Sequence, residues 1–165
     1  MSVLSICQAL EATWIGTQVR ETYWGYAAPQ IAHMLGMALF GGAVVVDDLR
    51  LLGRLRRPAF SELSKQLIPL KWLGFVVVVG SGLALFMSDA TRLYRNWAFL
   101  VKAILLLLVA LNAWIFRAVV YRDIAKWDQS ADPPTGAKRS ASLSLLLWLA
   151  IIVTSRLIGF VGPEY

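Results

Sequence analysis

Five polar side chains stand inside runs otherwise built of Leu, Val, Ala, Phe and Gly: His33, Ser81, Lys102, Asn112 and Arg156. Carrying such groups into hydrocarbon costs free energy, so they are the first candidates for chemistry. An imidazole offers a lone pair to a metal or takes a proton. Lysine and arginine offer fixed positive charge, whereas Asn and Ser more often bond one helix to another. A neutral imidazole on an apolar helix, with two cations at similar depth, suits a b-type haem. Its iron takes an axial His nitrogen, its porphyrin lies on apolar helix faces, and its propionates seek Lys or Arg near the membrane surface. On this reading His33 is the metal ligand, and Lys102 and Arg156 are propionate or second-ligand groups. The chain has one histidine, so a second axial ligand falls to Lys102, a Met or a partner subunit.

Plainer roles exist for each residue. Lys102 and Arg156 have stems long enough to snorkel to the interface, and a lone buried His commonly bonds a neighbouring helix. Met34 and Met37 read as core filler. Asn112 reads as a helix–helix hydrogen bond, and Gly36, Gly41, Gly42, Gly80 and Gly82 as points of close approach.

The elements that must position these residues follow from composition. The 165 residues are 58% apolar and only 16% charged, with a mean hydropathy of +0.63. A soluble domain carries about a quarter charged residues, so this surface needs lipid. The fold class expected is all-α, an integral membrane four-helix bundle with an N-terminal amphipathic interfacial helix. Residues 1–28 form the interfacial segment and residues 29–162 the bundle. Four apolar stretches approach the ~20 helical residues that cross a bilayer core: about 30–46, 72–88, 97–120 and 143–161. Ahead of Pro29, Leu4, Ile6, Cys7, Leu10, Trp14 and Ile15 recur at helical spacing, and Trp14, Tyr23, Trp24 and Tyr26 suit an aromatic belt. Asp89 to Asn96 is a short loop. Asp47-Asp48-Leu49-Arg50 reads as an ion-pair cap closing the first span.

Orientation follows from Lys and Arg. Eleven of the sixteen lie in the two long loops 49–71 and 121–142 or beside them, against Arg20, Arg92 and Arg95 on the other face. The rich face is therefore expected to be cytoplasmic, in a bacterial inner membrane, with both termini periplasmic. The net charge of +6 is thereby assigned to topology, and no nucleic-acid partner is expected. A single cysteine excludes an intrachain disulfide, and with one histidine it cannot build a four-ligand zinc site. No basic residue precedes an apolar core before Arg20, so no cleavable signal peptide is expected. At 1.5 Å per residue, His33, Lys102 and Arg156 each sit roughly 6–8 Å below the outer surface, with Asp89 shallower. Four helices thus offer polar groups to one outer layer.

Several of these residues carry a resemblance. Arg20-Glu21 with Trp24 and Pro29, His33, Asp48 to Gly53, Pro69, Ser81 to Phe86, and Asn96-Trp97-Ala98-Phe99 leading to Lys102, Asn112 and Phe116 resemble a family of uncharacterised bacterial four-helix membrane proteins, a domain of unknown function. That pattern often has an acidic residue three positions before the His, where Gln30 stands here. A more distant similarity is to HemJ-type protoporphyrinogen oxidases and copper-resistance D proteins. It implies haem b and redox chemistry, with His33 and Lys102 as counterparts of that group's first-helix His and later-helix Lys.

The function expected is therefore binding of one b-type haem near the periplasmic face, for electron transfer or membrane redox chemistry. Two other classes compete: a non-catalytic accessory subunit packed against a partner membrane subunit or a second copy, and a small transporter. Transport calls for a carboxylate in mid-membrane, and the spans as read hold none.

Overall fold

The computed structural model describes residues 2–55, 57–130 and 132–161. Met1, Arg56 (one of the loop cations) and Gly162 (the last residue of the expected bundle) lie outside the described residues. Ten helical elements follow one another, and no strand occurs among the described residues. The class is all-α. Four helices are long and apolar enough to cross a membrane, and the chain is a multi-pass membrane protein. They are α3 (Ala27–Leu51), α4 (Phe60–Ser88), α6 (Trp97–Ile115) and α8 (Thr135–Leu157). A π-turn (Phe116–Val120), a 3₁₀ turn (Tyr121–Asp123) and α7 (Ile124–Trp127) continue from α6.

The N-terminal segment holds two helices where one was expected, α1 (Val3–Glu11) and α2 (Trp14–Glu21). The break has a local cause. Thr13 takes an extended conformation and its Oγ1 accepts from Gly16 N at 3.2 Å, capping a new helix. The stretch between the second and third spans, expected as loop, contains the short α5 (Ala90–Arg95). Glu11 Oε1 accepts from Thr91 N at 2.7 Å, and Arg20 donates to the Ser88 carbonyl at 3.4 Å. α1 and α2 are therefore fastened to α5 and the end of α4. Trp14, Tyr23, Trp24 and Tyr26 remain exposed, as an interfacial belt requires.

α4 starts at Phe60, well ahead of the apolar run read from Trp72. Its first turn is held from afar: Asp128 accepts from the backbone N–H of Ser61 at 2.8 Å and from the Ser61 hydroxyl. Pro69 lies exposed within the helix, where its missing N–H is tolerated.

α3 and α4 pack most closely. A methyl group on Gly74 would stand 2.6 Å from the backbone nitrogen of Phe40, and one on Gly36 would stand 2.9 Å from that of Val78. Only hydrogen fits at either place. Gly42 and Gly80, also read as approach points, have open space instead. Phe40 reaches α8, its ring centroid 5.7 Å from that of Trp148. α8 in turn meets α6, where Asn112 Nδ2 donates to the Ser140 carbonyl at 3.0 Å. α4 and α6 do not pack backbone to backbone among the described residues. The order around the bundle is α4, α3, α8, α6, and one seam is loose.

The end opposite α1 and α2 holds a core of Leu51, Phe60, Trp127, Ala137 and Ala141. Beside it Arg50 is 1% exposed. Its Nε donates to the Pro58 carbonyl at 2.8 Å, and one terminal nitrogen donates to the carbonyls of Asp128 (3.1 Å) and Ser130 (3.3 Å). The expected ion-pair cap at Asp47 to Arg50 is thus different in kind. Asp47 pairs across helices with Lys71, while Arg50 ties two loops by their backbones. A buried guanidinium bonded to three carbonyls through two of its nitrogens fixes loop geometry that no sequence pattern announces.

Candidate functional site

His33 lies on the face of α3 that meets α4. Its Nδ1 is 3.1 Å from the Val78 carbonyl oxygen and 3.1 Å from Ser81 Oγ. A carbonyl oxygen only accepts, so Nδ1 carries the hydrogen and donates. The Ser81 hydroxyl spends its own hydrogen on the Val77 carbonyl, leaving a lone pair toward the same Nδ1–H. In the neutral ring this fixes the tautomer, and Nε2 bears the free lone pair. Histidines that ligate metals are held the same way, by an N–H donated from the second ring nitrogen to a carbonyl or carboxylate. Gln30, standing where an orienting acid was looked for, is exposed. The Val78 carbonyl does that job.

Gly82 makes room for the ring. A methyl group there would lie 3.0 Å from His33 Cε1. Lys102, on α6, is half-buried, and its charge acts on the imidazole. These two residues, from helices that are not neighbours around the bundle, come within electrostatic reach of each other.

The loose seam runs beside them. Phe86 and Phe99 stack across it, with ring centroids 5.5 Å apart and planes at 14°. Helical spacing places Phe75 and Val79 on the stripe of α4 that carries Phe86, and Leu106 on the stripe of α6 that carries Phe99. Yet Phe75 is 44% exposed, Val79 40% and Leu106 44%. The two helices touch at the aromatic pair, and these apolar side chains further along the seam stay exposed. Gly82, beneath the imidazole, is one turn from Phe86, so His33 stands close to this seam.

Arg156 does not join the pair. It is exposed near the end of α8, its guanidinium carbon 4.9 Å from the Phe160 ring centroid. Asp89, at the same end, pairs with Arg92. Met34 is exposed, and Met37 lines an apolar groove between α3 and α8 with Gly41, Gly42 and Trp148. No group of three or more His, Cys, Asp or Glu stands ready for a metal among the described residues.

The residue that sequence reasoning missed is Val78, whose contribution is a backbone carbonyl. The only sequence sign of it is Ser81, one turn along α4.

One comparison with known proteins decides the family. A family of unknown function, DUF6644, matches residues 8–161. The chain belongs to it. That match spans the last four residues of α1, all of α2 to α8 and so all four membrane helices, and every residue of the site lies inside the shared region. No curated protein and no solved structure matches the chain. The expected similarity to HemJ-type protoporphyrinogen oxidases and copper-resistance D proteins gains no support from these comparisons.

Proposed function

We propose that this member of DUF6644 binds one b-type haem along the α4–α6 seam, at the end that carries α1 and α2. The observation that carries the reading is the donation from His33 Nδ1 to the Val78 carbonyl, which presents Nε2 as a ligand. His33 is the axial ligand. Lys102, desolvated and close by, is the partner for a propionate or the second ligand. Phe75, Val79 and Leu106 supply apolar walls for a macrocycle. Bound there, haem would supply one-electron chemistry, and the protein's part is to hold and orient it and to exclude water.

The role is electron transfer or a redox reaction at the bacterial inner membrane. The excess of Lys and Arg at the other end of the bundle supports a periplasmic position for the site and both termini. The test is an absorption spectrum of the purified protein, oxidised and dithionite-reduced. A Soret band with a reduced α band, lost in His33→Ala, supports the reading. A colourless protein that does not take up added haem overturns it, and favours an accessory subunit whose exposed α4–α6 seam is covered by a partner helix.

A further inference from the structure

The opposite end of the bundle carries a polar assembly that the haem reading does not use. Asp47 and Asp48 follow one another in α3, about 100° apart around the helix, and so meet different neighbours. Asp47 meets α4, where its Oδ2 accepts from the Lys71 ammonium and from Ser64 Oγ at 3.1 Å. Lys71 also donates to Ser64 Oγ at 3.1 Å. Asp48 meets α8 and faces the Ser144 hydroxyl. Asn112, from α6, is already engaged with Ser140. Arg50, close in sequence, is turned toward the loop carbonyls. The charged groups around Asp48 are therefore Asp47 and Lys71.

This leaves an imbalance. Two carboxylates share one ammonium in a buried place, and Asp48 is only 6% exposed. Asp48 Oδ2 and Asp47 Oδ1 are both buried with no hydrogen-bond partner among the described residues. Lys71 is committed to Asp47, so an ionised Asp48 would be a buried charge with only a hydroxyl to answer it, and such charges are costly. One bound cation removes the excess. An unpartnered carboxylate oxygen facing a hydroxyl suits the smallest one.

We propose that Asp48 is a proton-binding site that holds one proton on its carboxyl group and exchanges it with the aqueous phase at the end away from α1 and α2. Taking up the proton converts the carboxylate to the carboxylic acid, forming one O–H bond, and releasing it reverses this. The neutral acid leaves Asp47 and Lys71 as a balanced pair. Release sets a free negative charge between α3 and α8, so the contact between these helices responds to proton occupancy. This holds whether or not His33 binds haem.

The test is infrared difference spectroscopy of the full chain in lipid nanodiscs, titrated through neutral pH. Wild type should show a carboxylic-acid C=O band that fades as pH rises. Asp48→Asn should lose the band, and Asp47→Asn, which removes the neighbouring charge and frees Lys71, should make it fade at lower pH. Should Asp48→Asn fail to fold, Ser144→Ala, which keeps the carboxyl, should shift the band because the hydroxyl beside it is gone. A wild-type spectrum without the band, a band unmoved by Ser144→Ala, or a band lost at fixed pH when sodium replaces choline would overturn the proposal. The last outcome would make the site one for a metal cation.

Discussion

The Nδ1 of His33 and the carbonyl oxygen of Val78 stand 3.1 Å apart, and Ser81 Oγ stands at the same distance from that nitrogen. One acceptor sets the tautomer and the second steadies the ring. Removing the second should loosen the imidazole without changing which nitrogen is free. Loss of such an outer partner costs about 10–100-fold in metal affinity. Ser81→Ala should therefore bind haem about tenfold more weakly, measured by titrating haem into the apoprotein, with helical content unchanged.

Glycine substitutions along α4 should separate close approach from mere composition. Gly74→Ala sets a methyl group against the Phe40 backbone, which cannot yield without moving a helix. It should destabilise by about 1–3 kcal/mol. Gly80→Ala meets open space and should be neutral or stabilising by up to about 1 kcal/mol. Thermal unfolding in detergent, followed by circular dichroism, checks the contrast.

Asn96 serves two helices at once. Its Oδ1 accepts from Ala98 N (2.9 Å) and Phe99 N (3.3 Å), capping α6, and its Nδ2 donates to the carbonyls of Ile158 (3.1 Å) and Val161 (2.6 Å) past the end of α8. Asn96→Ala should lose both functions, at roughly 2–3 kcal/mol for a cap and a buried hydrogen-bond pair. Asn96→Ser restores an accepting oxygen only. Hydrogen exchange should then show the first turn of α6 protected again while the end of α8 stays open.

Arg50 joins the α3–α4 loop to the segment after α7 through three carbonyls. Hydrogen bonds from a charged donor contribute about 1.5–3 kcal/mol each. Arg50→Met should cost about 3 kcal/mol, and Arg50→Lys should not rescue it, because a point charge cannot replace the planar fork. Limited proteolysis should cut both variants faster in the segments 52–59 and 128–134, and wild type in neither at the same protease dose.

The four membrane helices were legible because ~20 apolar residues have few other fates. The edges were legible only where polarity and helix end coincide. Ser88 closes α4 and Trp97 opens α6 beside a capping Asn, both as read. At the start of α4 hydropathy misled: the helix runs on into polar sequence because Asp128, sixty-seven positions from Ser61, caps it. The split at Thr13 was written in a side chain that either sits in a helix or starts one. The layering of His33 and Lys102 came from counting residues from helix ends. What orients His33 did not, since a backbone carbonyl leaves no trace in residue identity. Arg50 shows the same limit, as its partners are three carbonyls set by folding.

The account rests on a neutral His33 with hydrogen on Nδ1 and a lone pair on Nε2. The chain has a single histidine, so selective ¹⁵N-histidine labelling reports on this ring alone. Solid-state NMR in lipid should show Nδ1 protonated and Nε2 bare in the apoprotein, with the Nε2 resonance displaced or broadened away when haem is added. An Nε2–H tautomer, or an Nε2 signal indifferent to haem, would contradict the account.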